Sequence, residues 1–80
     1  MNSYNGWTNY QTWRINLEVF DNFDIEGYSN DVYELSNELK TYIEDYLSET
    51  TNEGLALDYA MAFISEVNFY EIAENLLGSK

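Results

Sequence analysis

Cysteine and histidine are both missing from this chain of 80 residues, and their absence narrows the possible folds more than any residue that is present. A domain this small buries only about 60% of the surface its unfolded chain exposes, and short chains commonly make up the deficit with disulfides or a structural zinc. Neither route is open here. Stability has to come from apolar packing, and the sequence supplies eight tyrosines, four phenylalanines and two tryptophans for it, side chains that bury large areas from few positions. The missing cysteines fit a reducing compartment. The opening residues show no basic-then-apolar leader, and no apolar run approaches the roughly 20 residues that span a bilayer. The expectation is one soluble, cytoplasmic domain over residues 1–80.

The densest apolar stretch is NGWTNYQTWRINLEVFDN, Asn5 to Asn22, and the remainder is expected to fold around it. Met1 to Tyr4 reads as a lead-in and Asn5-Gly6 as a turn. Thr8 followed three residues later by Gln11 has the form of a capping box, and Tyr10, Trp13, Leu17 and Phe20 recur near helical spacing. Trp13, Ile15, Leu17 and Val19 also alternate with polar residues, as in a half-buried strand. The cap favours a helix over 9–21. The two tryptophans are expected to wedge against later helices, with Trp7 the more exposed.

Gly27 punctuates the linker that follows, and Ser29 is placed to cap a second helix over 30–47 with Tyr28 and Tyr33 as its hydrophobic staple. Its apolar stripe is Val32, Leu35, Leu39, Tyr42, Ile43 and Tyr46. A polar loop, SETTNEG, leads to a third helix over 55–67 with Leu55, Ala56, Tyr59, Ala60, Phe63, Ile64 and Val67 on one face, where the small residues would admit another helix. Asn68 with Glu71 caps a fourth, over 69–77, with Val67 and Ile72 as staple and Gly78 as the stop. With no proline and no strong hairpin signal, the fold class is all-α: a single small bundle of four helices.

Fifteen acidic residues face only Arg14, Lys40 and Lys80, a net charge of −12. Such a chain repels nucleic acid and anionic lipid, and its natural partners are basic surfaces. An acidic stripe opposite an apolar one is what any solvated helix shows. Solubility, however, needs a net charge of only about 2 to 8 with both signs interspersed, and the excess costs stability through self-repulsion. On the second helix Asp31, Glu34, Glu38 and Asp45 lie along one side with Glu44 beside them. Glu34 to Asp45 spans about 16 Å, roughly five base-pair steps. Proteins that bind nucleic acid present Lys and Arg to phosphates, and a fixed row of carboxylates can stand in for those phosphates. The candidate partner-binding residues are therefore Asp31, Glu34, Glu38, Glu44 and Asp45. Tyr42, Tyr46 and Tyr70 could anchor such a contact, although their places beside apolar stripes point first to the core.

Other chemistry finds little support. Without His or Cys the serines lack a base, and no Gly-rich phosphate loop exists, so no catalytic residue and no cofactor are expected. Aligning Gly27 with the glycine of an EF-hand loop brings Asn22, Asp24, Glu26 and Asn30 to ligand positions, but Tyr33 then stands where the bidentate Glu belongs. No metal site is assigned.

The opening Asn5, Gly6, Trp7, Thr8, Asn9, Tyr10, Thr12 and Trp13, followed by R-I-N-L-E-V-F-D, resembles the start of a family of short, mostly uncharacterised proteins encoded by bacterial and archaeal viruses and plasmids. The likeness covers 18 of the 80 residues. It implies a mobile-element origin, hence a host cytoplasm, and small acidic proteins of that setting often inhibit host defence by anti-restriction or anti-CRISPR action, some by imitating DNA. The expected function is thus a non-enzymatic inhibitor, monomer or homodimer, that blocks a basic DNA- or RNA-binding surface of a host effector. The alternative is an interaction adaptor that binds through its aromatic surface.

Overall fold

The computed structural model describes residues 4–78. Four helices follow in order: α1 (Tyr10–Ile15), continued by a π-helical turn (Asn16–Phe20), α2 (Val32–Thr50), α3 (Leu55–Ile64) and α4 (Phe69–Gly78). The all-α reading therefore holds. Among the described residues no helix is long and apolar enough to cross a membrane. The expected lead-in falls outside the described residues except for Tyr4, as does Lys80.

Asn5-Gly6 does form a turn. Its φ angles of 50° and 89° put both central residues in the left-handed region, which defines a type I′ turn, and Tyr4 and Trp7 exchange two backbone hydrogen bonds across it at 2.6 and 2.8 Å. The first helix is capped one residue later than Thr8–Gln11 suggests. Asn9 is the N-cap, its side-chain oxygen accepting from the Thr12 N–H at 2.9 Å and the Thr12 hydroxyl at 2.7 Å. Thr8 turns to α4 instead: its N–H donates to Glu71 Oε1 at 2.9 Å and its hydroxyl accepts from Asn68 Nδ2 at 3.1 Å.

At α4, Asn68 Oδ1 accepts from the Glu71 N–H at 3.0 Å, the cap read from sequence. In an ordinary capping box Glu71 would reach back to the Asn68 N–H. Here that N–H donates to Thr12 Oγ1 at 2.8 Å, and Asn9 Nδ2 donates to the Glu66 carbonyl at 2.8 Å. Two helix starts cap one another, and Thr12, fully buried, stands between them.

The π-helical turn widens the backbone after α1 and changes which residues face inward. Phe20 becomes fully buried while Leu17 is left half-exposed; a regular helix from Tyr10 would have favoured both. The strand alternative for 13–19 is overturned. The centre of the molecule is also displaced from the expected Asn5–Asn22 stretch. The core joins α2 to α4, through Leu35, Leu39 and Ile43 on one and Phe69, Ile72, Ala73 and Leu76 on the other, with Phe20, Ile25, Ile64 and Val67 closing it. Leucines and isoleucines four residues apart on both helices make this pair the deeper hydrophobic contact. Trp7, expected to be the more exposed tryptophan, packs against this core, whereas Trp13 lies in an aromatic group with Tyr4 and Tyr10, centroids 5.0 and 5.7 Å away.

Helix α3 departs furthest from expectation. Only Ile64 of its ten residues is buried; Leu55 and Tyr59 are 67% and 68% exposed, and of the small residues expected to admit another helix Ala56 is exposed and Ala60 half-buried. The helix ends at Ile64, so Val67 enters the core from the connection to α4. Overall the Cα extents are 38 × 34 × 19 Å with a radius of gyration of 12.7 Å. A compact chain of this length has about 11.6 Å, so the molecule is flattened.

Candidate functional site

The start of α2 explains why its carboxylates are held in place. Its N-cap is Asp31, which accepts from the Glu34 N–H at 2.9 Å, and not Ser29. A side chain at the N-cap must reach the N–H groups two or three residues on, and Ser29 stands two residues too early. Ser29 is instead a hub. Its hydroxyl accepts from the Asp31 N–H at 3.0 Å and donates to Glu34 Oε1 at 2.9 Å, and its N–H donates to Glu38 Oε1 at 2.9 Å. The Tyr28–Tyr33 staple does not form, since Tyr33 is 66% exposed. Asp31, Glu34 and Glu38 therefore do structural work at the helix start, each carboxylate with one bonded oxygen.

Helix α2 runs to Thr50, three residues beyond the expected end, and this extension adds Glu49 to the acidic side. At about 100° per residue, Glu34, Glu38, Asp45 and Glu49 fall within roughly 60° of arc, about 110° round the helix from the centre of the buried stripe of Leu35, Leu39 and Ile43. From first to last they cover about 22 Å at 1.5 Å per residue. The i, i+4 step from Asp45 to Glu49 was visible in the sequence once the helix was allowed to continue. Glu44 does not belong to this row. It stands about a quarter-turn away, beside Lys40, at a cleft of about 320 Å³ shared with Met61, Ile64 and Phe69.

Aromatic rings border the row. Tyr28, Asn37, Glu38, Thr41, Tyr42 and Asp45 line an open groove of about 460 Å³. Phe23 supports its rings from beneath, with centroids 5.5 Å from Tyr28 and 5.2 Å from Tyr42, and Phe20 lies 6.1 Å from Tyr42. On the far side of Tyr42 a smaller cleft of about 220 Å³ is lined by Glu18, Val19 and Tyr46. Tyr42, Tyr46 and Tyr70 are 40%, 53% and 44% exposed, so the core placement expected for them is corrected: they present large, partly supported rings to solvent. A groove lined by the carboxylates of Glu38 and Asp45 and the rings of Tyr28 and Tyr42 suits an ammonium or guanidinium group, which gains a charge-assisted hydrogen bond from the former and a cation–π contact wherever it meets a ring face.

Of the two described cations, Arg14 is held by the Glu18 carboxylate at 2.8 Å and donates to the Tyr10 hydroxyl at 3.0 Å. These neighbours, Tyr10 first and Glu18 second, raise its pKa above the ordinary arginine value. The linker resembling an EF-hand uses its Asp24 carboxylate to accept from the Glu26 N–H at 2.9 Å, and among the described residues no three acidic side chains converge as metal ligands. No family model, no curated protein and no solved structure matches this chain.

Proposed function

We propose that the protein is a non-enzymatic inhibitor of mobile-element origin that covers a basic nucleic-acid-binding surface of a host defence nuclease or effector complex. The observation that carries the reading is the row Glu34, Glu38, Asp45 and Glu49 along one side of a 19-residue helix, all exposed but the partly buried Glu38, with Lys40 turned off that side and Arg14 engaged by Glu18. A regular helix fixes the spacing of these charges, and the Ser29 hub fixes the two nearest its start. Lysines and arginines arranged for phosphates meet a preorganised anionic row, so little ordering cost is added on binding. Long-range attraction makes the encounter fast and salt-sensitive. The Tyr28–Tyr42 groove then offers a seat for one basic side chain.

Asp45 and Glu49 are the residues to reverse, because neither side chain has a hydrogen-bond or ion-pair partner among the described residues. Immobilised wild-type protein should retain nucleic-acid-binding proteins from a host lysate, release them with salt or duplex DNA, and lose them after Asp45→Lys with Glu49→Lys. Retention of the same proteins by the double variant would refute the decoy reading. The adaptor alternative draws on the exposure of Tyr33, Leu55 and Tyr59. It predicts retention that hardly changes with ionic strength, since apolar contacts are little screened.

A further inference from the structure

We propose that α3, together with the aromatic row of α1, is the contact face of a homodimer, the occupant being a second copy of this chain. The inference does not depend on the decoy reading, because it concerns a different face. Helix α3 is almost entirely apolar, LALDYAMAFI, yet Leu55 and Tyr59 are about two-thirds exposed and Ala62 is exposed with them. These three positions are spaced i, i+4, i+7, the seam of a helix that packs against another helix. Phe63 carries the face onto α1 through Tyr10, 6.2 Å between centroids, and Tyr10 joins Tyr4 and Trp13.

Charge identifies the occupant. With −12 on each copy, two chains repel wherever they meet through acidic surface. A basic partner gains most on α2 and little here. On α3 one residue in ten is charged, Asp58, and on the α1 row the charge present is the internally paired Arg14–Glu18. The least charged face of a polyanion is where it can meet its own kind.

Size agrees with a two-fold arrangement. In a symmetric pair whose two-fold axis crosses α3 at right angles between Asp58 and Tyr59, α3 runs antiparallel to its copy. Leu55 and Ala62 stand equally far from that crossing point, so each large Leu55 lies over the second copy's small Ala62, twice, with Tyr59 beside the axis. A specific interface buries at least roughly 600 Å² per partner, about a ninth of the 5386 Å² surface. Ten helical residues, about 15 Å in length, do not supply this alone, so the Tyr4–Tyr10–Trp13 row takes part.

Sedimentation equilibrium of the full chain tests the assignment. The expected result is a monomer–dimer equilibrium that tightens as sodium chloride rises, because salt screens the self-repulsion. This sign is opposite to that of docking on a basic partner. Asp58→Asn should tighten the dimer at low salt by about twofold or more, since it removes two like charges about 10 Å apart. Leu55→Lys or Ala62→Glu alone should give monomers with unchanged far-UV circular dichroism, both sites being exposed in the monomer. Mixing the two variants should restore a heterodimer, Lys meeting Glu. A chain that stays monomeric at every salt concentration, a dimer that salt weakens, or a dimer that survives both single substitutions would overturn the proposal.

Discussion

Replacing Thr12 by valine keeps the shape of the side chain and deletes its hydroxyl. That hydroxyl is fully buried, donates to Asn9 Oδ1 at 2.7 Å and accepts from the Asn68 N–H at 2.8 Å. Asn9 Oδ1 keeps its bond from the Thr12 N–H, so the loss there is one ordinary hydrogen bond, about 1 kcal/mol. The Asn68 N–H fares worse, for a methyl group covers it and water cannot replace the acceptor. An unsatisfied buried donor costs about 1–3 kcal/mol, and the total expected loss is about 2–4 kcal/mol. For 80 residues at about 0.05–0.15 kcal/mol each, overall stability is about 4–12 kcal/mol, so one hydroxyl carries a large share. Urea unfolding followed by far-UV circular dichroism should show the midpoint falling at constant slope, and Tm should drop by about 8–32 °C. Thr12→Ser, which retains the hydroxyl and loses a methyl, should cost only about 1 kcal/mol. A valine variant within about 0.5 kcal/mol of wild type, or a serine variant worse than valine, would show that the two helix starts are not joined through this residue.

Gly54 precedes α3 with φ 118° and ψ −152°, a region essentially restricted to glycine, and no atom lies within 4 Å of where a Cβ would stand. Gly54→Ala should therefore cost about 1–3 kcal/mol through backbone strain alone, read as a lowered urea midpoint; an unchanged midpoint would contradict the conformation. Asn16, at the junction of α1 with the π-helical turn, has a buried Oδ1 that no donor reaches. Asn16→Leu should raise stability by about 1 kcal/mol or more by removing that orphan acceptor, and a fall in Tm would show that the amide has a partner in solution.

Much of the fold was legible because α2 and α4 obey local rules. Leu35, Leu39 and Ile43 repeat at helical spacing, and Asn68 with Glu71 forms the cap that their spacing announces. The misreadings arose where a distant contact overrode a local one. Thr8 with Gln11 looks like a capping box, but Thr8 is recruited by Asn68 and Glu71 some 60 residues away, and Asn9 takes the cap. Nothing local in Asn16–Phe20 signals a π-helical turn; it arises where α1, tied to α4 at Thr12, must also deliver Phe20 to the core. The exposed tyrosines of α2 were misplaced because periodicity marks which side a residue occupies and not whether anything covers that side. In the candidate site, spacing placed Glu34, Glu38 and Asp45 on one side of the helix, Glu49 lay beyond a helix end set three residues short, and Glu44, named with them for sharing that helix, faces α3.

The exchange of caps between α1 and α4 also governs when the chain can fold. A six-residue helix is far too short to persist in water unaided, and the groups that complete the start of α1, the Glu66 carbonyl and the Asn68 and Glu71 side chains, lie 57 to 63 residues further along the chain. The bonds that join these two regions close loops of 56 to 63 residues, contacts that are slow to form because their entropic cost precedes their reward. During synthesis the start of the first helix cannot be completed until Glu66 to Glu71 have emerged. A nascent chain stalled before Glu66 lacks the partners that the first helix start requires.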